Sequence, residues 1–263
     1  MKNSIIVLKV SGKALTSLDL IDSLFAQIKK WIEQKQIVII VHGGGVQISE
    51  LLSLKKVKPQ IINGLRKTDP ETLNAIKLAY GQIAIDLSLV AQKKGLSMVH
   101  LTGLDSNLLT AKQLEPADVY GAVGLVEIVN QNLIQVLLNQ KFILLISPLA
   151  ATQQGKLLNI NADEVAAQVA ECMQADKLIF LTDEAGVYSK VNGQKKYFSK
   201  LTPNEIKKLI KQEIVHSGMI PKLNSCIHAL RKGVKKIHIV NMESLANVLA
   251  NSGDNFIGTV IVK

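Results

Sequence analysis

Short apolar segments alternate along the chain with longer segments in which apolar residues recur every three or four positions. Residues 4–10 and 37–41 are short runs rich in β-branched side chains, which is typical of buried strands. Residues 18–34, between them, have the spacing of an amphipathic helix. The apolar face of that helix would consist of Leu20, Ile21, Leu24, Phe25, Ile28, Trp31 and Ile32.

The alternation continues to the end of the sequence. Further strands are predicted at 97–101, 142–147, 177–181, 236–241 and 257–262. Further helices are predicted at 47–54, 71–93, 130–140, 161–173, 203–212, 220–232 and 243–250. Hairpins or flap-like β-structure are predicted at 59–69, 108–111, 120–129 and 149–158. This order favours an α/β fold, a three-layer αβα sandwich around a mainly parallel open sheet that binds ligands at the carboxyl ends of its strands.

The longest predicted helix, 71–93, has clear boundaries. Asp69 is suited to cap it, Pro70 to open it and Gly95 to end it. No internal repeat, low-complexity tract or linker divides the chain. We therefore expect two lobes, residues 1–175 and 176–263, that share one continuous sheet.

The composition is that of an ordinary globular protein. The chain has 263 residues, of which 48% are hydrophobic and 20% charged. No apolar run approaches the ~18 residues of a membrane span, and Lys9 interrupts the first run, so neither a span nor a signal peptide is expected. Cys172 and Cys226 have no metal-ligand spacing and are expected to be buried thiols. These features predict a cytoplasmic protein.

The net charge of +10 is compatible with an anionic ligand such as ATP or with nucleic acid. Its lysine pairs are, however, scattered through the chain, mostly at expected helix ends and turns. Aromatic residues make up only 4% and do not alternate with the lysines, as they do in single-strand binders. Most of the charge is therefore interpreted as solvated surface, and no nucleic-acid partner is expected.

A glycine triplet, Gly43-Gly44-Gly45, follows the second predicted strand. Its N–H groups could approach phosphate oxygens at the positive end of the next helix. It is neither a P-loop nor a dinucleotide fingerprint, because the third glycine of G-x-G-x-x-G would fall on Ile48. A tight strand-to-helix turn explains the triplet about equally well. His42, before it, is expected to be structural.

Two lysines occupy unusual positions. Lys9 lies inside an apolar strand, where a lysine must be paired, reach a polar site or lie at a sheet edge. Ser11-Gly12, directly after it, would give another backbone turn. Lys222 lies in the first turn of a predicted helix, where its charge opposes the helix dipole. That position suggests a role other than helix stability.

The segment 159–164 has a simple structural explanation. Asn161 is suited to be an N-cap, and Glu164 would complete a capping box, with Asp163 complementing the dipole. Asn159 is not explained by the cap. Arg66 could clamp a carboxylate with both of its terminal nitrogens or be an ordinary surface arginine.

Taken together, the order and spacing of these segments resemble the amino-acid kinase superfamily, and within it the kinases of N-acetyl-L-glutamate, over nearly the whole chain. The stretch 64–69, Gly-Leu-Arg-Lys-Thr-Asp, is the most discriminating part. The other matching segments are 9–12, 41–45, 63, 103–105, 121–124, 159–163, 181–183, 217–222 and 257–259.

The resemblance implies a role for each candidate. Lys9 and Lys222 would bind the transferred phosphoryl group, and Asp163 would position them. The groups holding the acyl amino acid would be Arg66, on the α-carboxylate, Asn159 and Asn161. Phosphate oxygens would accept from the N–H groups of Gly12, Gly44 and Gly45. The nucleotide site would be lined by Leu181, Asp183, Gly186, Met219 and Lys222.

The implied reaction is ATP-dependent phosphorylation of the γ-carboxylate of N-acetyl-L-glutamate in arginine biosynthesis. That carboxylate is ionised at neutral pH, so no general base is required. Mg²⁺ would be carried mainly by the phosphates, with no protein metal site. Residues 1–175 would bind the acyl amino acid and dimerise, and residues 176–263 would bind ATP.

The sequence departs from the family pattern in two places. Ser11 replaces the first of two glycines, where its N–H could still serve, and Val46 replaces a common proline. Arginine-inhibited relatives carry an additional N-terminal helix that helps to form a hexamer, whereas this sequence begins almost at its first strand. The resemblance therefore implies an arginine-insensitive homodimer with helix 71–93 as the contact.

Three alternatives stay open at this point. The substrate could be N-succinylglutamate or a carrier-linked aminoadipate, both of which would suit the same fold. A non-catalytic amino-acid or nucleotide sensor is a third possibility. Against the sensor, Lys9, Asp163 and Lys222 are all present, and a sensor has no need to stabilise a transition state.

Overall fold

The computed structural model describes residues 4–191, 194–215, 219–249 and 258–263. The strands are β1 (Ile5–Val10), β2 (Ile37–His42), β3 (Ile61–Ile62), β4 (Leu65–Arg66), β5 (Met98–Thr102), β6 (Leu109–Gln113), β7 (Val123–Val129), β8 (Ile143–Ser147), β9 (Leu149–Ala151), β10 (Leu157–Ile160), β11 (Lys177–Leu181), β12 (Tyr188–Val191), β13 (Gln194–Tyr197), β14 (Lys200–Leu201), β15 (Lys236–Val240) and β16 (Thr259–Ile261). The α-helices are α1 (Leu18–Glu33), α2 (Gly45–Leu54), α3 (Pro70–Lys93), α4 (Ala117–Tyr120), α5 (Gln131–Asn139), α6 (Ala162–Cys172), α7 (Pro203–Lys211), α8 (Ile220–Arg231) and α9 (Met242–Leu245).

The main sheet has eight strands in the order β14-β16-β15-β11-β1-β2-β8-β5. All neighbouring strands are parallel except β15 and β16. Strands β1, β2 and β11, at the centre, are mostly buried, because helices cover both faces of the sheet. The predicted three-layer fold with a mainly parallel sheet is confirmed.

Two hydrophobic clusters lie on opposite faces of this sheet. One packs Phe25 and Trp31 of α1 and much of α3 against alternate residues of β1 and β2. The other packs α6 and α8 against the remaining residues of the same strands. Period-two alternation sends successive side chains of one strand to different clusters, so the sheet itself is the middle layer of the core.

A smaller β-unit adjoins the sheet. Strands β6, β7, β9 and β10 close on one another in the order β10-β7-β6-β9. It corresponds to the flap and hairpin predicted at 108–111, 120–129 and 149–158. Strand β10 pairs with both β7 and β9 and leads directly into α6, so it places Asn159 beside the start of that helix.

The boundaries of α3 follow the sequence closely. Asp69 caps the helix by accepting from the Thr72 N–H at 2.7 Å, and Pro70 is its first residue. Gly95, just beyond it, has a positive φ of 70°, which glycine adopts without steric strain. The short hairpin β3–β4 before this helix was also correctly predicted.

Several local predictions were wrong. Helix α2 begins at Gly45 rather than at residue 47, and residue 120 ends helix α4 rather than starting a strand. Leu20 is exposed on α1, and Cys172 is only half-buried, whereas Cys226 is fully buried. The hairpin β12–β13 was not predicted, because all four residues of β13 are exposed and give no apolar alternation. Parts of the predicted segments 217–222, 243–250 and 257–262 (residues 217, 218, 250 and 257) lie outside the described residues.

Candidate active site

The carboxyl ends of β1 and β2 and the first turns of α6 and α8 meet at one edge of the sheet. Lys9 Nζ lies 2.9 Å from Asp163 Oδ1, and Lys222 Nζ lies 2.6 Å from Asp163 Oδ2. The three side chains are 12%, 11% and 17% exposed for Lys9, Lys222 and Asp163, respectively. A single carboxylate therefore holds two ammonium groups, one on each oxygen, in a site that is mostly closed to water.

Electrostatics within this triad fixes its protonation. Burial alone would raise the pKa of Asp163, but the ammonium groups of Lys9 and Lys222 hold it well below its usual range. Burial lowers the pKa of Lys222, and Asp163 opposes that shift. With both lysines in the ammonium form, the triad has one negative and two positive groups and a formal charge of +1.

Lys222 is held from a second side. Its Nζ lies 4.6 Å from the centroid of the fully buried Phe180 ring on β11. Phe180 is the register partner of Lys9 on the adjacent strand β1. The two lysines therefore reach Asp163 from rigid elements, which limits how far either ammonium group can move.

The glycine loop lies next to this triad. A Cβ built on Gly43 would lie 3.9 Å from Lys9 Nζ, and one built on Gly12 would lie 2.9 Å from the Gly45 nitrogen. Gly12 must therefore lack a side chain for the two loops to pack. Within the described residues, the N–H groups of Gly44 and Gly45 donate to no protein acceptor. Because they begin α2, they are the unpaired donors that helix N-termini offer to anions.

Ser11 does not supply a free N–H. Its N–H donates to the Leu181 carbonyl at 3.2 Å, and its Oγ accepts from the Ala14 N–H. The expectation that the Ser11 N–H could serve a phosphate was therefore wrong. The residue instead ties the turn after β1 to the end of β11.

Arg66 forms one wall of the site. Its Nη2 donates to the Gly45 carbonyl at 3.0 Å and to Ser49 Oγ at 2.9 Å. Its other terminal nitrogen, Nη1, is buried and has no protein partner in the described part of the chain. A buried cationic donor without a partner is costly, so the geometry favours an anionic ligand at this point.

Asn159 lies on β10, and Asn161 lies at the start of α6. Asn159 Nδ2 donates to Thr68 Oγ1 at 3.1 Å, which joins β10 to the segment after the β3–β4 hairpin. Asn161 caps α6 by accepting from the Asp163 N–H at 2.8 Å. The predicted capping box is not formed, because the Glu164 carboxylate accepts from the Val126 N–H at 2.7 Å instead. Glu164 therefore fastens α6 to β7.

The five predicted nucleotide-site residues are not equally placed. Lys222 belongs to the triad, and Met219, three residues before it, occupies the N-cap position of α8 without a side-chain capping bond. Leu181 is fully buried at the end of β11, and Gly186 packs against Thr259, where a Cβ would come within 2.5 Å of Oγ1. Asp183 pairs with Lys13 at 2.8 Å on the surface. Of the five, only Lys222 lines the cavity between α6 and α8 that is described next.

A cavity of about 340 Å³ adjoins the triad between α6 and α8. Its polar lining residues include Asn161, Asp163, Lys222 and His228, and Leu65, Ala167 and Pro221 add apolar surface. It gives a ligand access to the buried ion pairs.

Sequence reasoning missed several participants. Lys13 and Ser49 contact predicted site residues, but nothing in the local pattern distinguishes them from other polar residues. Thr68, which contacts Asn159, lies within the matching stretch 64–69 but was given no role of its own. Ser147 was missed as well. It lies fully buried between two histidines below the glycine loop.

The triad and the glycine loop can stabilise negative charge, and none of their described side chains is placed to accept a proton. Asp163 is held ionised by two cations, and His42 is buried with both ring nitrogens in hydrogen bonds. Two lysines, the unpaired N–H groups of the glycine loop and Arg66 instead lie close together at this edge of the sheet. Such a site suits transfer of an anionic group to an acceptor that is already ionised.

Comparison with known proteins supports this interpretation. The sequence profile of the amino acid kinase family matches residues 4–241. Acetylglutamate kinase from Leuconostoc citreum is 39% identical over 237 residues, which cover 90% of this chain and 94% of the relative.

Solved structures agree. A protein from Streptococcus mutans UA159 superposes with a TM-score of 0.83 at 31% identity, with 98% of both chains covered. N-acetylglutamate synthase from Neisseria gonorrhoeae has a TM-score of 0.87 at 23% identity, over 100% of this chain and 60% of the other, and shows a shared fold.

Proposed function

Because the chain belongs to the amino acid kinase family and, within it, to the acetylglutamate kinases, we propose that the Lys9–Asp163–Lys222 triad is its phosphoryl-transfer centre. The enzyme uses ATP to phosphorylate the γ-carboxylate of N-acetyl-L-glutamate, a reaction of arginine biosynthesis that yields N-acetyl-L-glutamyl 5-phosphate. The observation that carries the site assignment is the pairing of two buried lysines with one carboxylate beside an open glycine loop.

The chemistry requires charge stabilisation rather than proton transfer. The γ-carboxylate is ionised at neutral pH and attacks the γ-phosphorus of ATP while the bond to the bridging oxygen breaks. Two anions must approach one another, so the ammonium groups of Lys9 and Lys222 offset the negative charge on the transferred phosphoryl oxygens. Asp163 keeps both ammonium groups in place and limits their mutual repulsion.

The binding site for the acyl amino acid is formed by the glycine loop, Arg66 and two asparagines. The free Nη1 of Arg66 would bind the α-carboxylate, and Asn159 and Asn161 would hold the acylated nitrogen and the acyl oxygen. Gly44 and Gly45 would donate N–H groups to phosphate oxygens during transfer. Of these groups, Arg66 Nη1 and the N–H groups of Gly44 and Gly45 have no protein partner among the described residues, which supports their use by the substrates.

The nucleotide side lies across the triad. Gly12, Leu181, Asp183, Gly186 and Met219 would border ATP, with Lys222 at its γ-phosphate. Residues 176–263 would thus form the ATP lobe and residues 1–175 the acyl-amino-acid lobe. The only carboxylate of the triad is already bound to two lysines, and the described residues contain no group of side chains suited to a metal ion. Mg²⁺ would therefore be carried by the ATP phosphates.

We propose that the enzyme is a cytoplasmic homodimer. Helix α3 leaves Leu78, Ile85 and Leu89 more than half exposed, and their spacing places them on one helical face. Among the described residues no helix is long and apolar enough to cross a bilayer. Sedimentation velocity of Leu89→Asp against the unaltered protein tests the dimer, since a charge in an apolar contact favours the monomer.

A hydroxylamine trap tests the reaction directly. The purified protein is incubated with MgATP and N-acetyl-L-glutamate, N-succinyl-L-glutamate or free L-glutamate, and the hydroxamate formed from any acyl phosphate is measured. We expect hydroxamate from the acetyl compound and little from free glutamate. Preference for the succinyl compound would change the substrate assignment, and no product from any of them in folded protein would refute the proposed function.

A further inference from the structure

A buried chain of hydrogen bonds runs beneath the glycine loop. His100 Nε2 lies 2.8 Å from Ser147 Oγ, and Ser147 Oγ lies 2.6 Å from His42 Nε2. His42 Nδ1 lies 3.0 Å from the Gly43 carbonyl oxygen. His42 and Ser147 are fully buried, whereas His100 is only half-buried on the edge strand β5.

The Gly43 carbonyl, at the end of this chain, determines which atom donates in each hydrogen bond. A carbonyl oxygen only accepts, so His42 Nδ1 carries a proton and donates it to Gly43. Burial lowers the pKa of His42 to about 4, so the ring is neutral at physiological pH and its Nε2 is an acceptor. Ser147 must then donate its O–H to His42, and its oxygen accepts from His100 Nε2–H. One arrangement satisfies all three bonds.

This chain fixes the orientation of a peptide group beside the phosphoryl centre. The Gly43 N–H donates to the Val10 carbonyl at 2.8 Å, and the Gly43 carbonyl is held by His42, so both polar groups of Gly43 are bound. In a planar trans peptide the N–H of the next residue points away from that carbonyl. The Gly44 N–H is therefore directed away from His42 and has no protein acceptor in the described chain.

We propose that Ser147 and His100 are positioning residues for phosphoryl transfer, because through His42 they lock the Gly43–Gly44 peptide with its N–H free for a phosphate oxygen. The proposal rests on the proposed function. Glycine has the least intrinsic preference for any backbone conformation, so a triplet of glycines needs an external constraint to hold one orientation. His42, braced by Ser147 and His100, is that constraint.

Kinetics of matched variants tests the role. Ser147→Ala and His100→Leu each interrupt the chain, whereas His100→Gln keeps an N–H donor near the position of Nε2. We expect about a tenfold fall in kcat for the two interrupting variants, with KM for N-acetyl-L-glutamate within about twofold, because one misdirected donor weakens transition-state binding more than ground-state binding. His100→Gln should recover to within about twofold of the unaltered kcat. The matched control is Ser97→Ala. Ser97 is exposed and lies just before the first residue of β5, so this variant should leave kcat unchanged.

A loss of thermal stability without a change in kcat for Ser147→Ala would overturn the proposal, as would equal losses in His100→Leu and His100→Gln. If Ser147→Ala fails to fold, the two His100 variants carry the test.

A spectroscopic measurement does not depend on activity. In protein labelled with ¹⁵N-histidine, the ring nitrogens of His42 should show the Nδ1–H tautomer at pH 7, because that proton is required by Gly43. The Nε2–H tautomer would refute the chain even in an active enzyme. An inactive enzyme with the Nδ1–H tautomer would instead count against the proposed function and leave the chain in place.

Discussion

Two ion-pair clusters lie within a few residues of the end of β1, and they differ chiefly in burial. Lys9 and Lys222 flank Asp163 with less than a fifth of each side chain exposed. Lys13, four residues after Lys9, pairs with Asp183 at a similar distance of 2.8 Å, but the two side chains are 68% and 46% exposed. The distances are alike, yet water screens one pair and is largely excluded from the other.

The comparison shows that distance alone does not tell what an ion pair does. An exposed pair contributes little, because water and salt compete for both charges. A buried triad is different, since removing one member leaves charge without compensation where little water is present to screen it. The buried cluster can therefore hold charges in a fixed geometry for catalysis, whereas the exposed pair can open and re-form around an arriving ligand.

The largest effect should come from neutralising the shared carboxylate. Asp163→Asn keeps the shape but leaves two ammonium groups adjacent and uncompensated. We expect kcat to fall by about 10³-fold or more and the free energy of unfolding to fall by about 3–5 kcal/mol. Urea unfolding and steady-state kinetics measure the two effects. Asp183→Asn is the stability control and should change unfolding by less than about 1 kcal/mol; equal losses in both variants would remove the distinction.

Removal of one catalytic cation should be next in size. Lys9→Met keeps most of the side-chain volume and removes the charge that faces the transferred phosphoryl group. We expect kcat to fall by about 10²- to 10³-fold with only a modest change in ATP affinity, as for a contact made mainly in the transition state. Titration with ATP and steady-state kinetics separate the two quantities. Unaltered turnover in this variant would refute the role given to Lys9.

Acid should affect the buried histidines before it reaches the triad. The folded-state pKa of His42 is about 4, below its ordinary value of 6.5, so unfolded chains bind a proton that the native protein excludes. The contribution of His42 to the free energy of unfolding is therefore complete above pH 6.5 and falls by about 3 kcal/mol as the pH drops towards 4. Asp163, with its lowered pKa, loses its contribution only below about pH 4. Unfolding free energies measured from pH 8 to 4 should decline in this window, and a flat profile would contradict the burial of a neutral His42.

The smallest effect is expected for the exposed pair. Lys13→Gln should raise KM for ATP by no more than about threefold and leave kcat nearly unchanged, because a screened surface charge contributes little. The difference from the unaltered enzyme should shrink further at high salt. Kinetics at low and high ionic strength give both values. A loss comparable to that of Lys9→Met would place Lys13 in the catalytic centre and end the contrast between the clusters.

The same contrast explains what could be predicted from sequence. Apolar runs such as 37–41 and the Asp69–Pro70 start of α3 specify elements locally, so strands and helices of the sheet were found within a few residues. The pairing of Lys9 with Asp163 joins positions far apart in the chain, and no local pattern contains it. The pattern at residues 161 and 164 predicted a capping box. In the structure, Glu164 instead accepts a hydrogen bond from Val126, a residue distant in the sequence.

Polar residues at strand ends were the hardest to interpret. Ser147 is the last residue of β8, and His100 lies within β5; both strands are ordinary apolar segments. The register of these strands in the sheet brings Ser147 to His42 and His100 to Ser147. Neither residue has a spacing that distinguishes it. Strand β13 was not predicted for a different reason: all of its residues are exposed, so its sequence shows no hydrophobic period.

The salt bridge between Lys222 and Asp163 joins residues 59 positions apart in the sequence, and the salt bridge between Lys9 and Asp163 joins residues much farther apart. Contacts of such long sequence separation form late, because the intervening chain must lose its conformational freedom first. The triad cannot exist in a partly folded chain that holds only local helices and neighbouring strands. Recovery of phosphoryl transfer during refolding therefore reports the arrival of the complete native topology, and it should lag behind the recovery of helical circular dichroism.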